Sequence, residues 1–254
     1  MLDPTRRFSK RVQNYLKYRP TYPPEIIALL ESECGLISEA VIAEPGSGTG
    51  LLTELLLKNG NRVFGIEPNA EMRTAGERAL AKYSKFSSID ATAEATTLPD
   101  QSVDFIVAGQ AFHWFEREKA GAEFSRILKP AGWVVLIWNG FFVESSPLMA
   151  AYQALVLRHG TDYLEVSREL DHSDIASFFA PGRCKLAHFN FQQTFDYQGL
   201  EGRLLSSSFV PEPNHPSYEP MLVDLRDIFD AHQKDGRVAF EYETEVYYGQ
   251  LSAG

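Results

Sequence analysis

The stretch VIAEPGSGTG, residues 41–50, decides the fold, because three alternating glycines and an acid follow a short apolar run. A strand that ends in a glycine-rich turn and continues as a helix is typical of nucleotide-binding α/β folds. The residues after the turn, TGLLTELLLKNG, have the composition of such a helix and end at Gly60. The stretch therefore predicts a strand, a turn and a helix, with a ligand at the turn.

The spacing within this turn separates three kinds of ligand. A Walker-type phosphate loop is excluded, because no lysine follows Gly50. A dinucleotide fingerprint needs a glycine or alanine at position 51, where this chain has Leu51. Glu44, two residues before Gly46, would repel a pyrophosphate but suits an ammonium group. The turn therefore favours a cationic nucleoside, which the glycines allow to approach the backbone closely.

The chain around the turn alternates short apolar runs with helical segments. Strands are predicted at 40–43, 62–67, 85–89, 104–110 and 132–139, and two later ones at 185–195 and 238–251. Unbroken apolar runs alternating with helices indicate a parallel sheet buried on both faces. We predict an α/β, Rossmann-like, doubly wound, seven-stranded and mostly parallel sheet, with an antiparallel C-terminal strand and a helical cap.

Polar residues end four of these strands: Glu44, Glu67, Gln110 and Asn139. Ligands of open α/β sheets bind at the carboxyl ends of the strands, near a switch point. An acid at the end of the second strand hydrogen-bonds ribose hydroxyls in such folds, which is the role predicted for Glu67. We therefore expect one small-molecule site at this edge of the sheet.

Composition excludes several other classes of protein. A formal net charge of −10 disfavours binding to nucleic acid, which needs a basic face. The six histidines show no metal-ligand spacing, so no metal site is expected. The N-terminus lacks the apolar core of a signal peptide, and the most apolar stretch, residues 133–143, is too short to span a bilayer. We expect a cytoplasmic protein with reduced cysteines and no membrane partner.

Four motifs together resemble a known family: EPGSGTG (44–50), GIEPN (65–69), TAEATTLPDQSVDFIVAGQAFHWF (92–115) and RILKPAGWVVLIWN (126–139). In this order they resemble the class I S-adenosylmethionine-dependent methyltransferases, in the type 11 methyltransferase-domain group. KYRPTYP (17–23), SSSFVP and YETEVYYG extend the likeness loosely toward small-molecule methyltransferases of the trans-aconitate kind. The resemblance implies S-adenosyl-L-methionine as cofactor and S-adenosyl-L-homocysteine as product.

The resemblance also implies roles for residues around the methionine portion of the cofactor. Gly46, Gly48 and Gly50, with Ser47, would line it. Glu44 would lie near its ammonium group, and Arg19 would reach its carboxylate from an N-terminal lid that also holds Tyr15 and Tyr18.

On the nucleoside side, Glu67 would take the ribose hydroxyls, with Pro68 beside it. Ala93 would offer its N–H to the adenine ring. Thr92 stands where many relatives have an acid, so Glu94 is the alternative contact to the adenine amino group. Gln110 would lie against the sulfonium end.

The acceptor side is predicted around His113, Trp114, Trp138 and Asn139. His113 is a candidate general base and Trp114 a pocket wall, while packing of both residues is the alternative interpretation. The leading hypothesis is an enzyme that methylates a small molecule at a hydroxyl or carboxyl oxygen. The alternatives are a non-catalytic S-adenosylmethionine-binding protein and an NAD-dependent oxidoreductase.

The domain prediction is a single methyltransferase domain over residues 1–254, acting as a monomer or homodimer. Its parts are an N-terminal helical lid (1–37), a cofactor-binding core (38–140), a cap and acceptor region with one sheet strand (141–235) and a C-terminal strand (236–254).

Overall fold

The computed structural model describes residues 17–161, 163, 172–180, 182 and 184–251. Seven strands form one sheet in the order β3-β2-β1-β4-β5-β7-β6. They are β1 (Val41–Pro45), β2 (Arg62–Ile66), β3 (Phe86–Ile89), β4 (Val103–Gly109), β5 (Leu128–Phe141), β6 (Cys184–Phe195) and β7 (Val238–Gly249). Residues 1–16 of the predicted N-terminal helical lid, including Tyr15, lie outside the described residues.

The strand directions confirm the predicted fold class. Strands β1 to β5 pair in parallel, whereas β7 runs antiparallel to both β5 and β6. The chain winds outward from β1 to β3 and then returns to place β4 on the other side of β1. The carboxyl ends of β1 and β4 therefore flank the switch point, where this class of fold binds ligands.

Eight helices are described: α1 (Glu25–Cys34), α2 (Leu51–Lys58), α3 (Ala70–Leu80), α4 (Arg117–Ile127), α5 (Pro147–His159), α6 (His172–Phe178), α7 (Tyr197–Leu205) and α8 (Tyr218–His232). Two short 3-10 turns lie at Phe112–Trp114 and Val143–Ser145. Among these described helices, none has the length and apolar character that crossing a bilayer requires.

Apolar clusters on both faces of the sheet explain why the strands are unbroken apolar runs. On one face, α1 and α2 pack Leu30 and Leu56 against Ile42, all fully buried. On the other face, α4 packs Phe124 against Ile106. Each such side chain contributes about 1.5–3 kcal/mol when it is buried. A third cluster, among α5, α7, α8 and the far ends of β6 and β7, forms the cap.

One strand boundary and one helix differ from the sequence prediction. Strand β5 begins at Leu128 rather than at residue 132, because Leu128 already pairs with Val103 of β4. The register then shifts, and Ala131 adopts a φ of +63° before the regular strand begins. Helix α7 was not predicted at all; its first turn is capped by Asp196, whose side chain accepts a hydrogen bond from the Gly199 N–H at 2.8 Å.

Candidate functional site

The glycine turn follows β1 and requires glycine at the positions the sequence supplies. Gly46, Gly48 and Gly50 have φ angles of +71°, +57° and +86°, the left-handed region that glycine adopts without strain. A Cβ on Gly46 would lie 2.4 Å from the Cβ of Ala111, and one on Gly50 would lie 2.6 Å from Leu80. The last glycine thus stands at 50 because it is the left-handed residue that immediately precedes α2.

Glu67, just beyond β2, holds the turn in place. Its Oε2 accepts the N–H of Gly48 at 2.9 Å, and its Oε1 accepts the N–H of Asn69 at 2.8 Å. Burial raises the pKa of this carboxyl, and the two backbone bonds oppose the rise. Each oxygen keeps the capacity for a further hydrogen bond, so the carboxylate can organise the turn and also accept from a ligand.

Glu44 is the most unusual group in the site. Only 2% of it is exposed, and its Oε2 has no hydrogen-bond partner among the described residues. Burial raises its pKa to about 8, with the neighbouring charge of Glu67 adding to the rise and Thr53 of α2 opposing it. A buried carboxyl left partly unsatisfied at a strand end is costly, and such groups concentrate at functional sites. A cationic ligand group would satisfy it.

Two adjoining clefts open at this edge of the sheet. The polar cleft encloses about 430 Å³ with its open mouth and is lined by Arg19, Pro20, Tyr22, Glu44, Gly46, Ser47, Gly48, Thr49, Leu51, Leu52, Gly109, Gln110 and Asn139. The apolar cleft encloses about 830 Å³ with its mouth and is lined by Gly46, Gly48, Glu67, Pro68, Asn69, Met72, Thr92, Ala93, Glu94, Gly109, Gln110, Ala111, Trp114 and Phe115. The two share the glycine turn and the end of β4.

A hydrogen-bonded junction closes the polar cleft on the side of β5. Gln110, with a φ of +55°, donates from its side-chain amide to the Asn139 carbonyl at 2.7 Å. The Asn139 amide in turn donates to the Thr21 carbonyl at 3.3 Å and accepts from the Thr244 hydroxyl at 2.7 Å. The Arg19 guanidinium donates to the Ser206 carbonyl at 3.1 Å. These bonds fix the segment around residues 19–22 beside the cleft.

The loop formed by residues 92–96, beside the apolar cleft, is held in place by Glu123 of α4. The Glu123 carboxylate accepts a hydrogen bond from the Thr96 N–H at 2.8 Å. The Arg126 guanidinium is the main reason that the pKa of Glu123 is lowered to about 2. Glu94 accepts the N–H of Glu116 at 2.8 Å, which joins the loop to the start of α4. Thr92, Ala93 and Glu94 are thereby presented at the cleft wall.

Most residues predicted for the site are brought together. Those that line a cleft are Arg19, Glu44, Gly46, Ser47, Gly48, Glu67, Pro68, Thr92, Ala93, Glu94, Gln110, Trp114 and Asn139. Their individual contacts with a cofactor stay predictions.

Four predicted residues line neither cleft: Tyr18, Gly50, His113 and Trp138. Tyr18 lies against Gly202 of α7, and Gly50 begins α2. His113 is half-buried, with its ring centroid 4.6 Å from that of Trp114. Trp138 packs edge-on against Phe112 and Tyr247.

Sequence reasoning missed several lining residues, chiefly Tyr22, Asn69, Met72, Ala111 and Phe115. Asn69 carried a usable signal, because an Asn before a helical run is a preferred N-cap; its side chain accepts from Glu71 N and Met72 N at 3.0 Å each. Tyr22 carried no such signal, because its hydroxyl reaches the site only by packing against Gly109, which is distant in the sequence.

Comparison with known proteins agrees with this geometry. Residues 43–136 match the family described as a methyltransferase domain. An uncharacterized methyltransferase of Schizosaccharomyces pombe is 35% identical over 53% of this chain and 53% of its own length, so the chain spans about half the length of the curated relatives it matches.

Solved structures share the whole fold at lower identity. One from Anaeromyxobacter dehalogenans, described as a candidate type II methyltransferase, has a TM-score of 0.69 at 17% identity and covers 93% of this chain and all of its own. A geranyl diphosphate C-methyltransferase of Streptomyces coelicolor, solved with S-adenosyl-L-homocysteine, has a TM-score of 0.50 at 14% identity over 90% of this chain and 76% of its own. Residues 43–136 are therefore a methyltransferase domain, and the chain has the fold of the class I S-adenosylmethionine-dependent methyltransferases.

Proposed function

We propose that this protein transfers a methyl group from S-adenosyl-L-methionine to a small-molecule acceptor, at a hydroxyl or carboxyl oxygen. The observation that carries the cofactor assignment is that both Glu44 and Arg19 line the polar cleft, next to a larger apolar cleft. An amino acid carries one cation and one anion on a single carbon. The polar cleft offers one group of each opposite sign, Glu44 for the ammonium and Arg19 for the carboxylate.

The apolar cleft suits the nucleoside portion of the same cofactor. Met72, Ala111 and Phe115 offer apolar surface for a purine ring, and the Ala93 backbone is available at the rim. Glu67 lies in this lining beside the glycine turn, where ribose hydroxyls can donate to its carboxylate oxygens. The Gly48 N–H of the turn is already donated to the Glu67 carboxylate, so it is not available to a pyrophosphate, which disfavours NAD.

Methyl transfer is an in-line displacement in which the acceptor oxygen forms a bond to the methyl carbon while the carbon–sulfur bond breaks. The cofactor supplies the activated methyl group when it is bound. The chain aligns the reactants and keeps water out. Gln110 lines both clefts and donates to the Asn139 carbonyl, which supports a role for Gln110 in orienting that centre.

The acceptor determines whether the chain must also remove a proton. A carboxylate acceptor needs no base, whereas a hydroxyl acceptor does. His113 lines neither cleft, which favours a carboxylate acceptor or a base other than His113.

A small acceptor is supported by the chain segments that lie beside the polar cleft. The bonds from Asn139 to Thr21 and from Arg19 to Ser206 hold these segments in place. The net charge of −10 disfavours a nucleic-acid acceptor. The fold relative from Streptomyces coelicolor is named for a small substrate, geranyl diphosphate, although at 14% identity it supports the fold alone.

Two experiments test the proposal. S-Adenosyl-L-methionine and S-adenosyl-L-homocysteine should raise the melting temperature, because each binds only the native state, while NAD should leave it unchanged. Stabilisation by NAD alone would overturn the cofactor assignment. Incubation with methyl-labelled cofactor and a panel of small carboxylic acids and phenols should then label one acceptor class. Cofactor binding without labelling of any panel member, or of a cell metabolite extract, would instead support a non-catalytic binding protein.

A further inference from the structure

One face of the ribbon formed by β6 and β7 brings together a histidine and two glutamates. His188 lies directly opposite Glu245 in the antiparallel register. Glu243 is two residues before Glu245 and therefore projects from the same face. His188 Nδ1 lies 3.1 Å from Glu243 Oε1, and one ligand atom from each of the three residues lies within 4.8 Å of the others.

We propose that His188, Glu243 and Glu245 form a binding site for a first-row divalent cation of the zinc type. Imidazole nitrogen and carboxylate oxygen both bind Zn²⁺ at about 2.0–2.2 Å, so the edge of a zinc tetrahedron is about 3.3 Å long. The separation of His188 Nδ1 and Glu243 Oε1, 3.1 Å, is close to that length. Binding of zinc would require a carboxylate oxygen of Glu245 to move from within 4.8 Å of the other two ligand atoms to about 3.3 Å, and three protein ligands would leave the fourth position for water.

The surroundings of the three residues favour a bound cation. Glu243 and Glu245 project side by side from one strand, where like charges destabilise each other unless a cation neutralises them. The Tyr247 hydroxyl donates to Glu245 Oε2 at 3.4 Å, the kind of outer contact that orients a metal-binding carboxylate.

This site is separate from the clefts at the switch point, because none of its three residues lines either of them. A cation here would join β6, at the edge of the sheet, to β7. Sequence spacing did not reveal the site, since His188 and Glu243 are 55 residues apart and meet only through strand pairing.

The test is a titration of the full, tag-free chain with Zn²⁺ by isothermal calorimetry. We expect about one equivalent to bind at this site, with affinity reduced more than about tenfold in His188→Ala and in Glu243→Gln. Asn190→Ala is the matched control, because Asn190 lies opposite Glu243 on the same face and is exposed. Its affinity should stay within about twofold of wild type.

Two further readouts make the result decisive. Zn²⁺ should raise the melting temperature of the wild type and of Asn190→Ala, but not that of the two ligand variants. Equal zinc binding by the wild type and both ligand variants would overturn the proposal and assign the metal to other histidines or the cysteines. Absence of zinc binding to the wild type would overturn it outright. Thermal shift with S-adenosyl-L-homocysteine should be unaffected by either substitution, so the proposed methyltransferase function is tested independently.

Discussion

The buried carboxyl of Glu44 makes a quantitative prediction about cofactor binding. With a pKa of about 8, Glu44 is only about 10% ionised at pH 7 in the ligand-free protein. An ammonium group binds the ionised form, so the neutral form must lose its proton when the ligand binds. At pH 7 an α-ammonium of ordinary pKa is about 90% protonated and takes up about 0.1 proton. Wild type should therefore release about 0.8 proton for each cofactor bound.

The same linkage sets the pH dependence of affinity. Between pH 6 and pH 7 the ionised fraction of Glu44 rises about ninefold, while the ligand ammonium stays almost fully protonated. Cofactor affinity should accordingly rise about eightfold over this interval, or about 1.2 kcal/mol. The Glu44→Gln variant keeps the shape of the side chain but cannot ionise. Its affinity should be weaker at pH 7 and nearly independent of pH between 6 and 7.

Calorimetry of S-adenosyl-L-homocysteine binding in several buffers measures both quantities. Proton release is read from the change in apparent enthalpy with the ionisation enthalpy of the buffer, and affinity from the same titrations. Equal proton release by wild type and Glu44→Gln would refute the assignment of the titrating group. Release near zero in both would show that Glu44 is already ionised before the ligand binds.

Three further predictions concern stability and the acceptor side. The folded-state pKa of Glu44 lies above its unfolded value near 4.5, so its ionisation opposes folding. Its contribution should therefore reduce the free energy of unfolding of the ligand-free protein by up to about 1.4 kcal/mol per pH unit between pH 5 and 8. The free energies of unfolding of wild type and Glu44→Gln, measured in urea, should diverge over this range and converge near pH 4. Gly46→Ala should abolish cofactor binding in calorimetry, because the new Cβ would meet Ala111. Gly35→Ala is the control, since Gly35 has a similar φ of +69° but open space around it. This variant should lose only about 1–2 kcal/mol of unfolding free energy in urea and should still bind the cofactor. His113→Ala should keep kcat within about threefold once an acceptor is known, because the ring lines neither cleft, and a loss above about tenfold with a changed pH profile would restore its role as base.

The sheet and the glycine turn could be predicted because their determinants are local in the sequence. Alternation of apolar runs with helices specifies a parallel sheet, and an acid before spaced glycines specifies the turn. The residues Tyr22 and His188 could not be placed, because each reaches its site through contacts between elements far apart in the chain. Helix α7 was missed because Gly199 and Gly202 lower its intrinsic helix propensity, and packing of Leu200 and Leu204 in the cap compensates.

The kind of ligand that the glycine turn can bind depends on which of its backbone N–H groups are available. Glycine-rich turns bind phosphate through backbone N–H groups at a helix N-terminus. Here the Gly48 N–H is already donated to the Glu67 carboxylate at 2.9 Å. Gly76 lets α3 pack closely against the turn, since a Cβ there would lie 3.1 Å from the Gly48 carbonyl oxygen. Because one amide is donated to an acid and a second acid, Glu44, is buried beside the turn, we expect the turn to disfavour a pyrophosphate and to accommodate a cationic ligand group.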